Sequence, residues 1–283
     1  MSKIIVAIDF SDCSINAFLH ALSIAQHCSL DLLLIWVEKP LSEKDKFEKL
    51  AGDPVGEVKK QFEKLISKYQ PELQGNTIEY KLRTGTVYKE ITKEAKERKA
   101  TLIVAGTHGA SGFEEFWIGS NANKIVSASP CPVITIRAGI NIQRPLTKIV
   151  LPIDRTLETR QKATFTGQLA KMHDAEIHIL SLYTSNVKAI RQDVNIYAGQ
   201  VELYYKQEGI KYQMASMVCT NISDAMIEYA KKIEANLISI MTEQESTTSN
   251  LWMGPYAHQT VNHSPIPVLS IHSKETYSGG SGF

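Results

Sequence analysis

Short continuous apolar runs alternate along the chain with stretches in which apolar residues recur three and four positions apart. In the first half the runs are Ile4 to Ile8, Leu32 to Val37, Thr101 to Ala105 and Val133 to Ile136, with a more weakly alternating one at Ile78 to Leu82. They are short, rich in β-branched residues and unbroken, which predicts strands buried on both faces of a parallel sheet. Asp12 to Cys28, Val55 to Tyr69 and Val87 to Arg98 carry the helical spacing, with Ala17, Ala21, Leu22 and Ala25 on one stripe and Val58, Phe62, Leu65 and Ile66 on another. The second half repeats the scheme. Its predicted strands are Lys148 to Ile153, Ile177 to Leu182, Tyr212 to Val218, Leu237 to Met241 and Val268 to Ile271. Its long helices are Thr159 to Met172, Val194 to Gln207 and Ile222 to Ile233. Strand–helix alternation of this kind predicts right-handed βαβ units and a doubly wound sheet.

The halves resemble each other residue by residue. Lys3-Ile-Ile-Val-Ala-Ile-Asp9 returns 145 positions later as Lys148-Ile-Val-Leu-Pro-Ile-Asp154, and Cys131-Pro-Val-Ile-Thr-Ile-Arg137 returns 135 positions later as Ile266-Pro-Val-Leu-Ser-Ile-His272. A repeated unit that opens and closes on the same segments predicts two tandem domains. We place them at 1–140 and 146–273, each an α/β five-stranded mainly parallel sheet flanked by helices, followed by a loose tail, 274–283, rich in Gly and Ser. The expected edge strands Val133 to Ile136 and Val268 to Ile271 need partners.

Composition narrows the function. The chain of 283 residues carries 31 basic and 30 acidic side chains, spread over both halves, so no basic field for nucleic acid or an anionic membrane surface is expected. No run is apolar over the ~18 residues that a membrane span needs, and the apolar start ends at Asp9, unlike a secretory signal. Cys13, Cys28, Cys131 and Cys219 have irregular spacings that suit reduced thiols of a cytoplasmic protein better than disulfides or zinc. The gap between His258 and His263 is likewise wrong for two metal ligands on one helix, and we expect no metal site of the chain's own.

Ligands of open parallel sheets bind beyond the carboxyl ends of the strands. The first strand exits at Asp9, and the fourth exits into Gly106-Thr-His-Gly109-Ala-Ser-Gly112, followed after Phe113 to Ile118 by Gly119-Ser120-Asn121. Glycines let backbone N–H groups approach a phosphate, and a helix opening near Ser120 would add free N–H groups and a partial positive charge. Asp9 either meets a ligand or caps the helix that opens at Asp12. No P-loop, no dinucleotide G-x-G-x-x-G after the first strand and no G-x-S-x-G elbow is present. His108, Glu114 and Glu115 are the only nearby groups that could serve as a base, and no orienting partner is recognisable for any of them; we assign no catalytic residue. Trp117 and Trp252 occupy corresponding places and suit loop packing.

The run Gly106-x2-Gly109-x9-Gly119-Ser120 resembles the nucleotide-binding motif of the universal stress proteins, G-x2-G-x9-G-[ST], and the resemblance covers nearly the whole chain as a tandem member with an adenine nucleotide alpha hydrolase-like fold. It implies an ATP site in which Asp9 meets the nucleoside, Val37 contacts adenine, and Gly106, Gly109, Gly119, Ser120 and Asn121 hold ribose and phosphates, with magnesium or manganese often bridging the phosphates. It also implies a cytoplasmic, stress-induced regulator without a general catalytic reaction, and closing strands that pair. The halves are therefore expected to form an internal pseudo-dimer, with room for a further homodimer. An interaction scaffold that has lost its ligand and a slow ATPase are the alternatives.

The second copy departs from the motif. Met241 and Gln244 stand opposite Gly106 and Gly109, and Gly254-Pro255 replaces Gly119-Ser120. Glu243 and Glu245 would repel phosphate, so this copy is expected not to bind ATP in the family manner, whether or not Asp154 is retained as a cap.

Overall fold

A computed structural model describes residues 3–38, 54–107, 120–137, 145–242 and 255–273. In the first half, strands β1 (Lys3–Ala7), β2 (Asp31–Glu38), β3 (Ile78–Thr84), β4 (Leu102–Gly106) and β5 (Val133–Ile136) alternate with helices α1 (Asp12–Cys28), α2 (Pro54–Tyr69), α3 (Val87–Glu97) and α4 (Ser120–Ala128). In the second, β6 (Lys148–Ile153), β7 (Glu176–Tyr183), β8 (Tyr212–Val218), β9 (Leu237–Met241) and β10 (Val268–Ile271) alternate with α5 (Lys162–His173), α6 (Lys188–Glu208), α7 (Ile222–Lys232) and α8 (Pro255–His263).

These strands form one sheet in the order β3-β2-β1-β4-β5-β10-β9-β6-β7-β8. Pairing within each half is parallel, as continuous apolar strands require. The halves meet where β5 and β10 pair antiparallel, with Ile134 opposite Leu269. Both closing strands are thereby removed from the edge, and all eight of their residues are buried.

Successive side chains of a strand enter opposite layers, because the strand repeat is two residues. Ile4 and Val6 join the core beneath α1, α2, α5 and α6, while Ile5 joins the core beneath α3, α4, α7 and α8. Each core contains residues of both halves, so the junction is a continuation of the interior on both faces. Polar bonds also cross it: Thr135 Oγ1 donates to the Val268 carbonyl (3.4 Å), and His272 Nε2 donates to the Val126 carbonyl (2.6 Å) while its Nδ1 lies 2.9 Å from Thr242 Oγ1.

Two expected helices differ. The segment from Thr159 begins as a 3-10 turn, Leu157–Arg160, before α5. α6 begins at Lys188, not Val194, because its first turns carry Lys188, Arg191, Gln192 and Asp193 and show no apolar stripe. The tail 274–283 lies outside the described residues. No described helix is long and apolar enough to cross a membrane.

Candidate functional site

In each half the chain places β1, β2 and β3 (or β6, β7 and β8) to one side and then turns back to place β4 and β5 (or β9 and β10) on the other. The strand order therefore reverses between β1 and β4, the position at which a doubly wound sheet opens a crevice. Ala7 is level with Ile35 and with Ala105, so Asp9, Val37 and Gly106 end neighbouring strands on the rim of that crevice. The beginning of α4, Ser120 and Asn121, follows on the α3/α4 side. Gly109, Gly119, His108, Glu114, Glu115 and Trp117 lie outside the described residues.

The turn after β1 is held by local hydrogen bonds. The Asp9 carboxylate accepts from the Ser11 amide (3.0 Å) and the Ser11 hydroxyl (2.6 Å). Ser11 is the N-cap of α1, its Oγ accepting from the Ser14 amide (3.3 Å), and Ser14 Oγ receives the Asp9 amide (3.3 Å). This corrects the capping alternative for Asp9: Ser11 caps, and Asp9, exposed at the strand end, braces the cap. Phe10 takes a left-handed φ of 62° to make the turn and packs edge-on against Phe62, ring centres 4.8 Å apart. Ser120 is the first helical residue of α4, so the helix opens where the sequence placed it.

Gly106 has a packing reason of its own. A Cβ there would lie 2.9 Å from Cys13 Sγ and 3.0 and 3.1 Å from the Cys13 carbonyl carbon and oxygen, distances that force something to shift. Cys13 cannot yield easily, since its thiol donates to the Ile136 carbonyl at 3.1 Å. The missing side chain therefore lets α1 sit against the end of β4, which fixes the position of the Asp9 turn.

The second copy has the same frame with different contents. Asp154 accepts from the Thr156 amide (2.9 Å) and hydroxyl (2.6 Å), and its own amide donates to Thr159 Oγ1 (3.3 Å), as in the Asp9 turn, but Thr156 makes no side-chain cap bond like that of Ser11. Ile153 pairs with Ser181, so Leu182 stands beside Asp154 as Val37 does beside Asp9. Met241, level with Ile271 as Gly106 is with Ile136, is 2% exposed and adds a side chain where the first copy has none.

Two further residues, missed in the sequence, lie close to Asp154. Lys162 occupies the repeat position of Ala17. It is buried, its ammonium donating to the Thr159 carbonyl (2.7 Å) and Thr159 Oγ1 (3.1 Å). Burial pulls its pKa down to about 8 against the pull of the Asp154 carboxylate. Tyr256, in the first turn of α8, occupies the position of Asn121. Burial, with Asp154 and Cys219 nearby, raises its phenol well above the ordinary value, and its hydroxyl lies 3.8 Å from Met226 Sδ. The signal for both was available in the repeat: Ala17 against Lys162, and Asn121 against Tyr256. Gln244, Glu243, Glu245, Trp252 and Gly254 lie outside the described residues.

Comparison with known proteins follows the same division. The universal stress protein family model matches twice, over residues 1–137 and 145–272. The chain belongs to the universal stress protein family. A universal stress protein of Methanocaldococcus jannaschii is 30% identical over 140 residues, covering 48% of this chain and 81% of the relative. The universal stress protein YxiE of Bacillus subtilis is 32% identical over 146 residues, covering 48% of this chain and 99% of the relative. A universal stress protein structure from Archaeoglobus fulgidus superimposes over 96% of this chain and 98% of its own, with a TM-score of 0.75 and 17% identity, and so shares the fold. The two universal stress protein units of this chain share one strand-end turn and differ in the side chains beside it.

All four cysteines are thiols. Burial raises Cys28 and Cys131 to about 11 and moves Cys219 in the same direction. Among the described residues no three His, Cys, Asp or Glu side chains converge as metal ligands. His258 is engaged with Asn262 (2.8 Å), and His272 with the junction.

Proposed function

We propose that this protein is a nucleotide-sensing regulator that binds one ATP per chain, in the first copy. The supporting observation is the contrast between two crevices built on one frame. The first ends β4 on Gly106 at the head of a glycine-spaced phosphate motif, whereas the second carries Met241, Lys162 and Tyr256 at corresponding positions. In this reading Asp9 meets the nucleoside, Val37 lies against adenine, and Gly106, Gly109, Gly119, Ser120 and Asn121 surround ribose and phosphates. Free amides at the start of α4 add a partial positive charge. A divalent cation such as magnesium would be carried by the phosphates; among the described residues the strand ends offer it the carboxylates of Asp9 and Glu38.

The second copy then serves as a built-in partner, pairing β10 with β5 in place of a second subunit. A cytoplasmic location accords with four free thiols, of which burial disfavours ionisation at Cys28, Cys131 and Cys219. The test is chemical: denature freshly purified protein and identify released small molecules by mass spectrometry, with Gly109→Val alongside. Adenine nucleotide from the wild type alone supports the reading. No nucleotide, combined with no stabilisation by added ATP, leaves the scaffold reading in its place.

A further inference from the structure

The two ends of the ten-stranded sheet are third strands of the same repeat, yet they are finished differently. β3 carries Glu79, Lys81 and Arg83, all engaged. Glu79 accepts from Lys3 (2.6 Å), while Lys81 (2.8 Å) and Arg83 both pair with the buried Glu94. Charges along an edge strand are a standard guard against pairing with another chain. β8, Tyr212-Gln-Met-Ala-Ser-Met-Val218, has none. Its outer edge has no strand partner among the described residues, and Met214 and Val218 are 45% and 59% exposed.

The asymmetry extends beyond the strand. Among the described residues every exposed large aliphatic or methionine side chain belongs to the second copy. Ile196 and Leu203, two turns apart on α6, are among them. α6 lies on the same face of the sheet as Met214 and Val218, since Tyr212, in register with both, donates its hydroxyl to Glu202 of α6 (3.2 Å). The corresponding helix of the first copy, α2, carries Lys60, Glu63, Lys64 and Lys68. Ile196 and Leu203 lie on the side of α6 opposite its buried Val194, Ala198, Val201 and Tyr205, so the apolar surface at the unguarded edge is that of β8 itself, Met214 and Val218.

We infer that β8 pairs antiparallel with β8 of a second copy of this chain, extending the sheet across a two-fold axis. Charge selects this occupant. About an axis at Ala215, Tyr212 faces Val218, Gln213 faces Met217 and Met214 faces Ser216 of the other copy, so no charge is buried or opposed. The same operation on β3 would set Lys81 against its own image, which destabilises a sheet. Pairing β8 with β3 would pull Lys81 and Arg83 away from solvent and Glu94, and would propagate head to tail instead of closing. The closing strands, β5 and β10, are already consumed within the chain, so this contact is distinct from the junction between the copies.

The experiment is sedimentation of the full chain over a wide range of concentration, with Met214→Lys/Val218→Lys and, as a control, Leu157→Lys, which is 67% exposed away from β8. The wild type and the control are expected to approach twice 31.6 kDa at high concentration, and the double variant to stay at 31.6 kDa while melting as the wild type does at dilutions where both are monomeric. Hydrogen exchange on the wild type supplies a reading that needs no variant: the β8 amides gain protection as concentration rises. A wild type that stays monomeric throughout, a dimer that survives the double substitution, or β8 amides indifferent to concentration each overturns the inference. The last two outcomes would move the contact to another surface or another macromolecule.

Discussion

His20 ties stability to pH across the junction. It lies on α1, is 9% exposed, and its Nε2 has no hydrogen-bond partner. Across from it on α5 is His173, whose Nε2 is also buried without a partner and whose ring stacks on His27 of α1 at 4.3 Å. Burial, and secondarily His173, lowers the His20 pKa from 6.5 to about 4; burial and His27 lower that of His173 to about 4. Both imidazoles are therefore neutral in the folded chain at pH 7 and accept protons more readily when unfolded. A depressed pKa in a base leaves stability complete above about pH 6.5 and removes it progressively as pH falls toward 4. Each tenfold loss of proton affinity on folding is worth about 1.4 kcal/mol, so a buried histidine perturbed this far forfeits about 2.5 kcal/mol by pH 4.5. His173 is only partly buried, and its share is smaller. The perturbation is His20→Phe, the residue the repeat carries at Phe165. Urea unfolding at intervals from pH 7 to 4.5 should show the wild type losing stability and the variant losing about 2 kcal/mol less over the same interval. Parallel curves, or a wild type that gains stability on acidification, would mean that the burial of His20 does not govern acid stability.

Glu94 acts in a lower pH window. Burial opposes its ionised form, but hydrogen bonds from Lys81, Arg83 and Arg98 outweigh burial and hold the carboxyl down at about 2. Its stabilisation is full above pH 4.5 and is lost as pH falls from 4.5 to 2, so Glu94→Gln should abolish the steep part of the acid transition there and cost about 3 kcal/mol at pH 7 by urea denaturation. Gly106→Ala presses a methyl into Cys13 backbone. It should cost about 1–3 kcal/mol as overpacking, measured by the urea midpoint, and weaken ATP binding by shifting the Asp9 turn. Cys28 and Cys131, raised to about 11, should react with iodoacetamide at about pH 7.5 at least tenfold more slowly than the same thiols in urea; equal rates would mean that burial does not control them.

The buried strands were legible because a strand covered on both faces must be apolar throughout: β1, β4, β5, β6, β9 and β10 were all expected within a residue of where they lie. β3 was fainter because an exposed edge tolerates Glu79, Lys81 and Arg83. The early start of α6 was invisible because its first turns make no core contact. At the site, strand-end position and glycine spacing marked Asp9, Val37 and Gly106, and the structure sets all three at the switch point. Spacing could not show that Cys13 also needs Gly106 to lack a Cβ, because that demand comes from a residue 93 positions away in the chain. Nor could it show that Lys162 and Tyr256 turn toward Asp154, since a lysine opening a helix and a tyrosine near a proline are ordinary surface residues until the fold buries them.

One working crevice and one altered crevice on the same frame imply a single nucleotide per chain, which the stoichiometry of ATP binding reports. Calorimetric titration of nucleotide-free wild type and Gly109→Val with ATP and magnesium should give one site per chain in the first and none in the second. Two sites per chain would mean that the second copy also binds nucleotide, and one site that persists when Gly109 is replaced would mean that the first copy's glycine loop does not hold it.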